Sequence, residues 1–213
     1  KKIICGILIW ITATCSTFAF SSTRGSNASS KGPRLDTATF AAGCFWCTEA
    51  KFKELRGVVE VTSGFTGGHT VHPTYEQVCT GVTGHAEACN IIFDPKQISF
   101  DELLEAFFTA HDPTQLNRQG NDEGTQYRST IFYHNPIQKQ QAEYYIKKIN
   151  EEKAYPKPVV TQVAPFTVFY KAENYHQDYF NRNLHVPYCR YVIQPELEKF
   201  RKAFAGKLKR STN

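Results

Sequence analysis

Gly43-Cys44-Phe45-Trp46-Cys47 sets two thiols around two aromatic rings at the point where an apolar segment gives way to a helical one. A thiolate at a helix start meets unsatisfied backbone N–H groups and the positive end of the macrodipole, and both favour negative charge. Cys44 is therefore a candidate nucleophile, expected to be activated by its position. The CxxC spacing of Cys44 and Cys47 admits two other readings, a thioredoxin-like dithiol and half of a metal site. A metal site wants a second ligand pair. Cys79 and Cys89 are not spaced as one, and the chain has no HxxxH and no second CxxC. The dithiol reading is the better of the two, although bulky Phe45 and Trp46 separate the thiols.

These groups must be held by a small set of elements. Thr37 to Ala41 reads as a buried strand, and Cys44 to Leu55 reads as a helix with Gly57 as its C-cap. Val58, Val59 and Val61 give a second strand up to Gly64, and Ala86 to Phe93 a third. Ser99 and Glu102 form a capping box opening a helix whose Leu103, Leu104, Phe107 and Phe108 share one apolar face. His111 to Gln126 is polar and aperiodic, a loop of functional length. A strand is expected over Tyr127 to Tyr133, and Asn135-Pro136 then caps a helix reaching about Glu152. Two short strands are expected over Val159 to Val163 and Phe166 to Tyr170, then a final amphipathic helix over Pro195 to Phe204. Alternating strands and helices followed by two late strands fit an α/β (α+β) sandwich, helices packed on a small mixed sheet, in one domain over 35–205.

The chain has 213 residues, 41% of them hydrophobic, enough for an ordinary core. Its net charge of +5 comes from its ends. Between Arg34 and Gly206 stand 18 Lys and Arg against 20 Asp and Glu, so the folded part is not a basic module and nucleic-acid binding is not expected. Lys1 and Lys2 precede an uncharged run from Ile3 to Phe20, and small residues surround Ala19, Ser21 and Ser22. Residues 1–21 thus read as a secretory signal, with an uncleaved anchor as the competing reading, since 18 uncharged residues just span a bilayer. The protein is expected to be exported, periplasmic or secreted, or held at a membrane by that segment. Residues 22–34 read as a Ser/Gly-rich linker and 206–213 as a basic tail. Without the first segment five cysteines remain, at 44, 47, 79, 89 and 189, an odd number that points to a free reactive thiol. Methionine is absent.

Several ordered segments together carry a further signal: Gly43-Cys44-Phe45-Trp46, Gly67-Gly68 through Pro73-Thr74-Tyr75, Thr83-Gly84-His85-Ala86-Glu87, His111-Asp112-Pro113-Thr114-Gln115, Gly120-Asn121-Asp122, Gln126-Tyr127-Arg128-Ser129 and Tyr175-His176-Gln177. From Phe40 to about Lys202 the chain resembles the A-type peptide-methionine sulfoxide reductases. The resemblance implies a ferredoxin-like two-layer sandwich and thiol-dependent reduction of methionine-S-sulfoxide, free or in oxidised proteins. It implies Cys44 as the nucleophile that attacks sulfur and leaves as a sulfenic acid. It implies Glu87 as the proton donor, a role that requires burial to keep its carboxyl protonated. Tyr75 and Tyr127 match phenols that hydrogen-bond the sulfoxide oxygen, Asp122 matches a polar group of the same pocket, and Phe45 and Trp46 match the walls around the S-methyl group. The resolving thiol is expected at Cys189, with Cys47 as its rival. A disulfide needs Cβ atoms within about 4.5 Å, which a regular helix does not guarantee for residues three apart. Cys79 and Cys89 read as small buried hydrophobes. The resemblance further implies a monomer without a metal or tightly bound cofactor, recycled by thioredoxin or another dithiol, and in contact with a membrane only if the N-terminal segment is uncleaved.

Overall fold

A computed structural model describes residues 34–210. The signal or anchor reading of 1–21 and nearly all of the proposed linker lie outside the described residues. Among those described, no helix is long and apolar enough to cross a membrane.

The chain begins with β1 (Asp36–Ala42), α1 (Phe45–Lys53) and β2 (Val58–Thr66), then a short helix α2 (Tyr75–Cys79), β3 (Ala86–Phe93) and α3 (Phe100–Ala110). A two-residue hairpin, β4 (Arg118–Gln119) with β5 (Asp122–Glu123), interrupts the long loop before β6 (Ser129–Tyr133) and α4 (Pro136–Glu151). Beyond them come β7 (Gln162–Pro165), β8 (Phe169–Lys171), the four-residue α5 (Tyr179–Arg182), a π-helical turn over Cys189–Ile193, and α6 (Gln194–Ala203). Six strands form one sheet in the order β7-β6-β1-β3-β2-β8. Its pairings are antiparallel except β6 with β7, which makes the sheet mixed. The α+β class expected from the sequence stands.

Period-two alternation sorts the central strands onto two faces. Ala38, Phe40, Cys89, Ile91 and Ile131 belong to the main core under the helices, whereas Ala41, Ala88 and Phe132 form a smaller cluster with Phe166 and Phe169. Phe40 shows how the helix layer seats: its ring centroid lies 5.7 Å from Phe52 of α1 and 5.0 Å from Phe107 of α3. The expected apolar face of α3 is buried in full.

Local chemistry explains most element boundaries. The Ser99–Glu102 capping box forms, and Asn135 caps α4 by accepting from the Gln138 N–H ahead of Pro136. The expected strand from Tyr127 starts at Ser129 instead, because Thr125–Tyr127 closes a 3₁₀ turn first. The two late strands, β7 and β8, start three residues later than expected and are shorter, ending two residues and one residue later. At the C-terminus the fold runs past residue 205: the N–H of Arg56 donates to the Lys207 carbonyl at 2.8 Å, and that of Lys209 donates to the Glu54 carbonyl at 2.8 Å.

Candidate active site

The turn between β1 and α1 depends on Gly43, whose φ is +86°. A Cβ there would lie 2.6 Å from the Gln119 side chain, so any other residue would both strain the backbone and collide with the β4–β5 hairpin. Cys44 is the N-cap of α1, with φ −58° and ψ 126°, and its side chain caps nothing. Its sulfur is therefore left for other partners. The thiol is 6% exposed. Burial, with Cys47 and Glu87 close by, pushes its pKa well above the usual cysteine range. Removing the sulfur from water thus outweighs the stabilisation of negative charge that the helix start offers.

Glu87 stands on β3 two residues before Cys89, and so on the helix-covered face of the sheet, 1% exposed. Its Oε2 accepts from the Phe45 N–H at 3.0 Å, one of the donors a helix N-terminus leaves open. Burial raises its pKa to about 8, with the Asp122 charge adding to the rise and the Phe45 hydrogen bond opposing it. A carboxyl beside Cys44 is thus protonated in most molecules at pH 7.

Two phenols complete this side. Tyr75 is the first residue of α2, placed by a capping box in which Thr74 accepts from the Gln77 N–H and the Gln77 side chain accepts in return. Tyr127 sits in the 3₁₀ turn ahead of β6. Both hydroxyls are held protonated, first by burial and next by the Glu87 charge, which marks their common neighbour. Phe45, 1% exposed, lies beneath with its ring 6.2 Å from Tyr75 and nearly parallel to it. Trp46 is half-buried and stacks on Tyr179 with centroids 3.7 Å apart.

Cys44 also lines a cavity of 330 Å³, together with Cys47, Lys51, Asp122, Tyr188 and Glu196 among others. None of Glu87, Tyr75 or Tyr127 lines it. Tyr188 bridges two of its walls: its hydroxyl donates to Asp122 Oδ2 at 2.6 Å and lies 3.7 Å from Cys47 Sγ. Among the described residues, no group of three or more His, Cys, Asp or Glu side chains is placed to hold a metal ion.

The family model described as "Peptide methionine sulfoxide reductase" matches residues 36–208. A relative named peptide methionine sulfoxide reductase MsrA, from Thermus thermophilus, is 55% identical over 174 residues, covering 82% of this chain and 98% of the relative. One of the same name from Saccharolobus solfataricus is 54% identical over 175 residues, again covering 82% and 98%. The chain belongs to the peptide methionine sulfoxide reductase family. Solved structures agree: methionine sulfoxide reductase A of Corynebacterium diphtheriae aligns at 39% identity with a TM-score of 0.65, covering 72% of this chain and 77% of that one. Reduced Mxr1 from Saccharomyces cerevisiae aligns at 32% and 0.67, covering 73% and 89%.

In this reductase the thiols are not equivalent. Cys47 shares the cavity with Cys44 and helps raise its pKa. Cys189 is fully buried in the π-helical turn, and the neighbouring charge that raises its pKa, after burial, is that of Cys47. Cys89 is a buried small hydrophobe as expected, but Cys79 is exposed, because α2 is a single surface turn and Cys79 ends it. The structure gathers Cys44, Glu87, Tyr75, Tyr127, Asp122, Phe45, Trp46 and Cys47 into one region. It adds Tyr188 and Glu173, which the sequence did not single out, and gives a place beside Trp46 to His176, named there only within a motif. The Thr74–Gln77 capping box is a sequence signal that would have revealed α2; nothing local marks Tyr188.

Proposed function

We propose that this reductase converts methionine-S-sulfoxide, free or in proteins, to methionine through Cys44, with Glu87 as proton donor. The observation that carries the reading is the buried, protonated Glu87 carboxyl anchored on the N–H next to Cys44. A sulfoxide oxygen becomes basic only as the nucleophile adds to sulfur, so an acid poised near neutral pH helps most in the transition state. Cys44 gives up its proton as it attacks. Its sulfur takes the oxygen, the substrate leaves as a thioether, and the balance is one thiol and one sulfoxide giving one sulfenic acid and one methionine. Tyr75 and Tyr127 donate to the same oxygen, while Phe45 and Trp46 supply an apolar wall for the methyl group.

Cys47 fits the resolving role. The N-cap geometry of Cys44 frees one end of the pair from regular helix, and both thiols line one cavity that gives them room. Its attack on the sulfenic acid expels water and forms the Cys44–Cys47 disulfide. Cys189, whose raised pKa the Cys47 charge contributes to, is the candidate to receive the disulfide by exchange. Two electrons must then come from outside, which fits thioredoxin or another dithiol. Treating the reduced protein with one equivalent of L-methionine-S-sulfoxide tests the reading. Expected are one equivalent of methionine and a mapped Cys44–Cys47 disulfide; unchanged thiols, or equal consumption of the R epimer, would overturn it.

A further inference from the structure

Two atoms on the substrate-wall side are shut away from water without a hydrogen-bond partner, Glu173 Oε2 and His176 Nε2, and they face each other at 3.8 Å. Their other ends are engaged. Glu173 Oε1 accepts from the Tyr75 N–H at 3.1 Å, at the first residue of α2. His176 Nδ1 lies 3.1 Å from Trp46 Nε1. An indole nitrogen only donates, so Nδ1 accepts and the ring proton of the neutral imidazole resides on Nε2, facing the free carboxylate oxygen.

We propose that Glu173 is a positioning residue that couples the two halves of the substrate pocket, fixing the oxygen-side phenol through the Tyr75 backbone and the methyl wall through His176 and Trp46. The logic is one of acceptors. The Tyr75 N–H donates to one oxygen of this side chain, and the His176 Nε2–H faces the other at 3.8 Å, beyond hydrogen-bond length but still an electrostatic partner. A carboxylate presents an oxygen to each. A glutamine offers one. Its amide N–H₂ would confront either a backbone N–H or the imidazole N–H, and the second conflict is relieved only by moving the ring proton to Nδ1, where it opposes the indole N–H of Trp46. The His176 ring has little freedom to turn away, since it is 1% exposed and lies 4.3 Å from Tyr75 and 5.1 Å from Phe45. The segment carrying both residues is pinned as well. Gln177 accepts from the Ser63 N–H at 3.0 Å and donates to the Ser63 and Ala172 carbonyls at 2.9 Å each, and Glu49 accepts from the Asp178 N–H at 2.9 Å. A rigid strap therefore delivers Glu173 and His176 to the pocket.

The inference rests on Trp46 as the methyl wall only for its kinetic part, and the test keeps the two apart. In the full-length protein, the Trp46 indole ¹⁵N–¹H resonance is followed in Glu173→Gln, His176→Phe and the double variant, with Trp10→Phe assigning the second tryptophan peak. Glu173→Gln is expected to move the Trp46 resonance, to raise KM for methionine-S-sulfoxide about tenfold with kcat within about threefold, and to add little to the KM of His176→Phe. An unmoved indole peak in Glu173→Gln, or KM effects that simply multiply in the double variant, would overturn the proposal. If Glu173→Gln fails to fold, His176→Phe carries the indole readout alone, and an unmoved peak there overturns it too. Inactive wild-type protein would instead strike the proposed reaction, leaving the indole test intact.

Discussion

The two sides of Cys44 are built on different principles. Toward Glu87, Tyr75 and Tyr127 the parts are few and fixed: a carboxyl on a central strand, one phenol at a boxed helix start and another in a tight turn. Toward Cys47, Asp122 and Tyr188 the parts come from α1, a two-residue hairpin and the residue that opens the C-terminal π-helical turn, around 330 Å³ of open space, with Cys189 buried in that turn. The difference matches two chemical demands. Protonating a developing oxyanion needs preorganised donors that do not move, whereas passing a disulfide from sulfur to sulfur needs thiols that can approach and separate. π-Helical turns, often found at functional sites, suit the second demand.

Substitutions on the two sides should separate accordingly. The largest effect belongs to the shared atom: Cys44→Ser is expected to abolish turnover with any reductant, measured as methionine released, and residual turnover would break the comparison at its centre. Next, Glu87→Gln keeps an acceptor for the Phe45 N–H but supplies no acidic proton, and should lower kcat about 10²-fold or more. The same variant tests stability. Folded Glu87 titrates near pH 8 rather than 4.5, so the native chain keeps a proton that the unfolded chain releases between those values. Its contribution is present in full below about pH 4.5 and is lost as pH rises through 8. The wild-type melting temperature should fall across that window and flatten in Glu87→Gln. Wild-type activity should also fall above about pH 8.

Cys47→Ser sharpens the other side. It should leave a single stoichiometric turnover intact while the sulfenic acid accumulates, trappable by a dione reagent, and steady-state turnover with a dithiol should drop about tenfold or more. Cys189→Ser should cost less; the reverse ranking would move first resolution to Cys189. Smaller still, Tyr75→Phe is expected to lower kcat by about tenfold, since the remaining phenol and Glu87 still donate. The smallest effect is expected from Tyr188→Phe, which removes the hydrogen bond to Asp122. It should change kcat by no more than about threefold and act on the rate of disulfide formation rather than on methionine release.

Much of this was legible in the residues. The Cys44 thiol at a helix start, the capping box at Ser99, the Asn135 N-cap and the apolar face of α3 are local patterns, and local hydrogen bonding and periodicity enforce them wherever they occur. The ordered motifs identified the family because so many specific segments recur in one order. Other features were not local. Tyr127 reads as strand by composition, yet a 3₁₀ turn claims it. Cys79 reads as core, yet its helix lies on the surface.

The sequence by itself determined which side chains are available for chemistry and on which elements they ride, because caps, turns and periodicity act over a few residues. Only the tertiary structure decided their chemical state and their pairing. Whether Cys44 rests as thiol or thiolate, whether Glu87 holds its proton, and which sulfur stands next to Cys44 all depend on how much water the packed chain excludes and on charges brought near from distant positions. Desolvation and through-space electrostatics have no signature in sequence spacing.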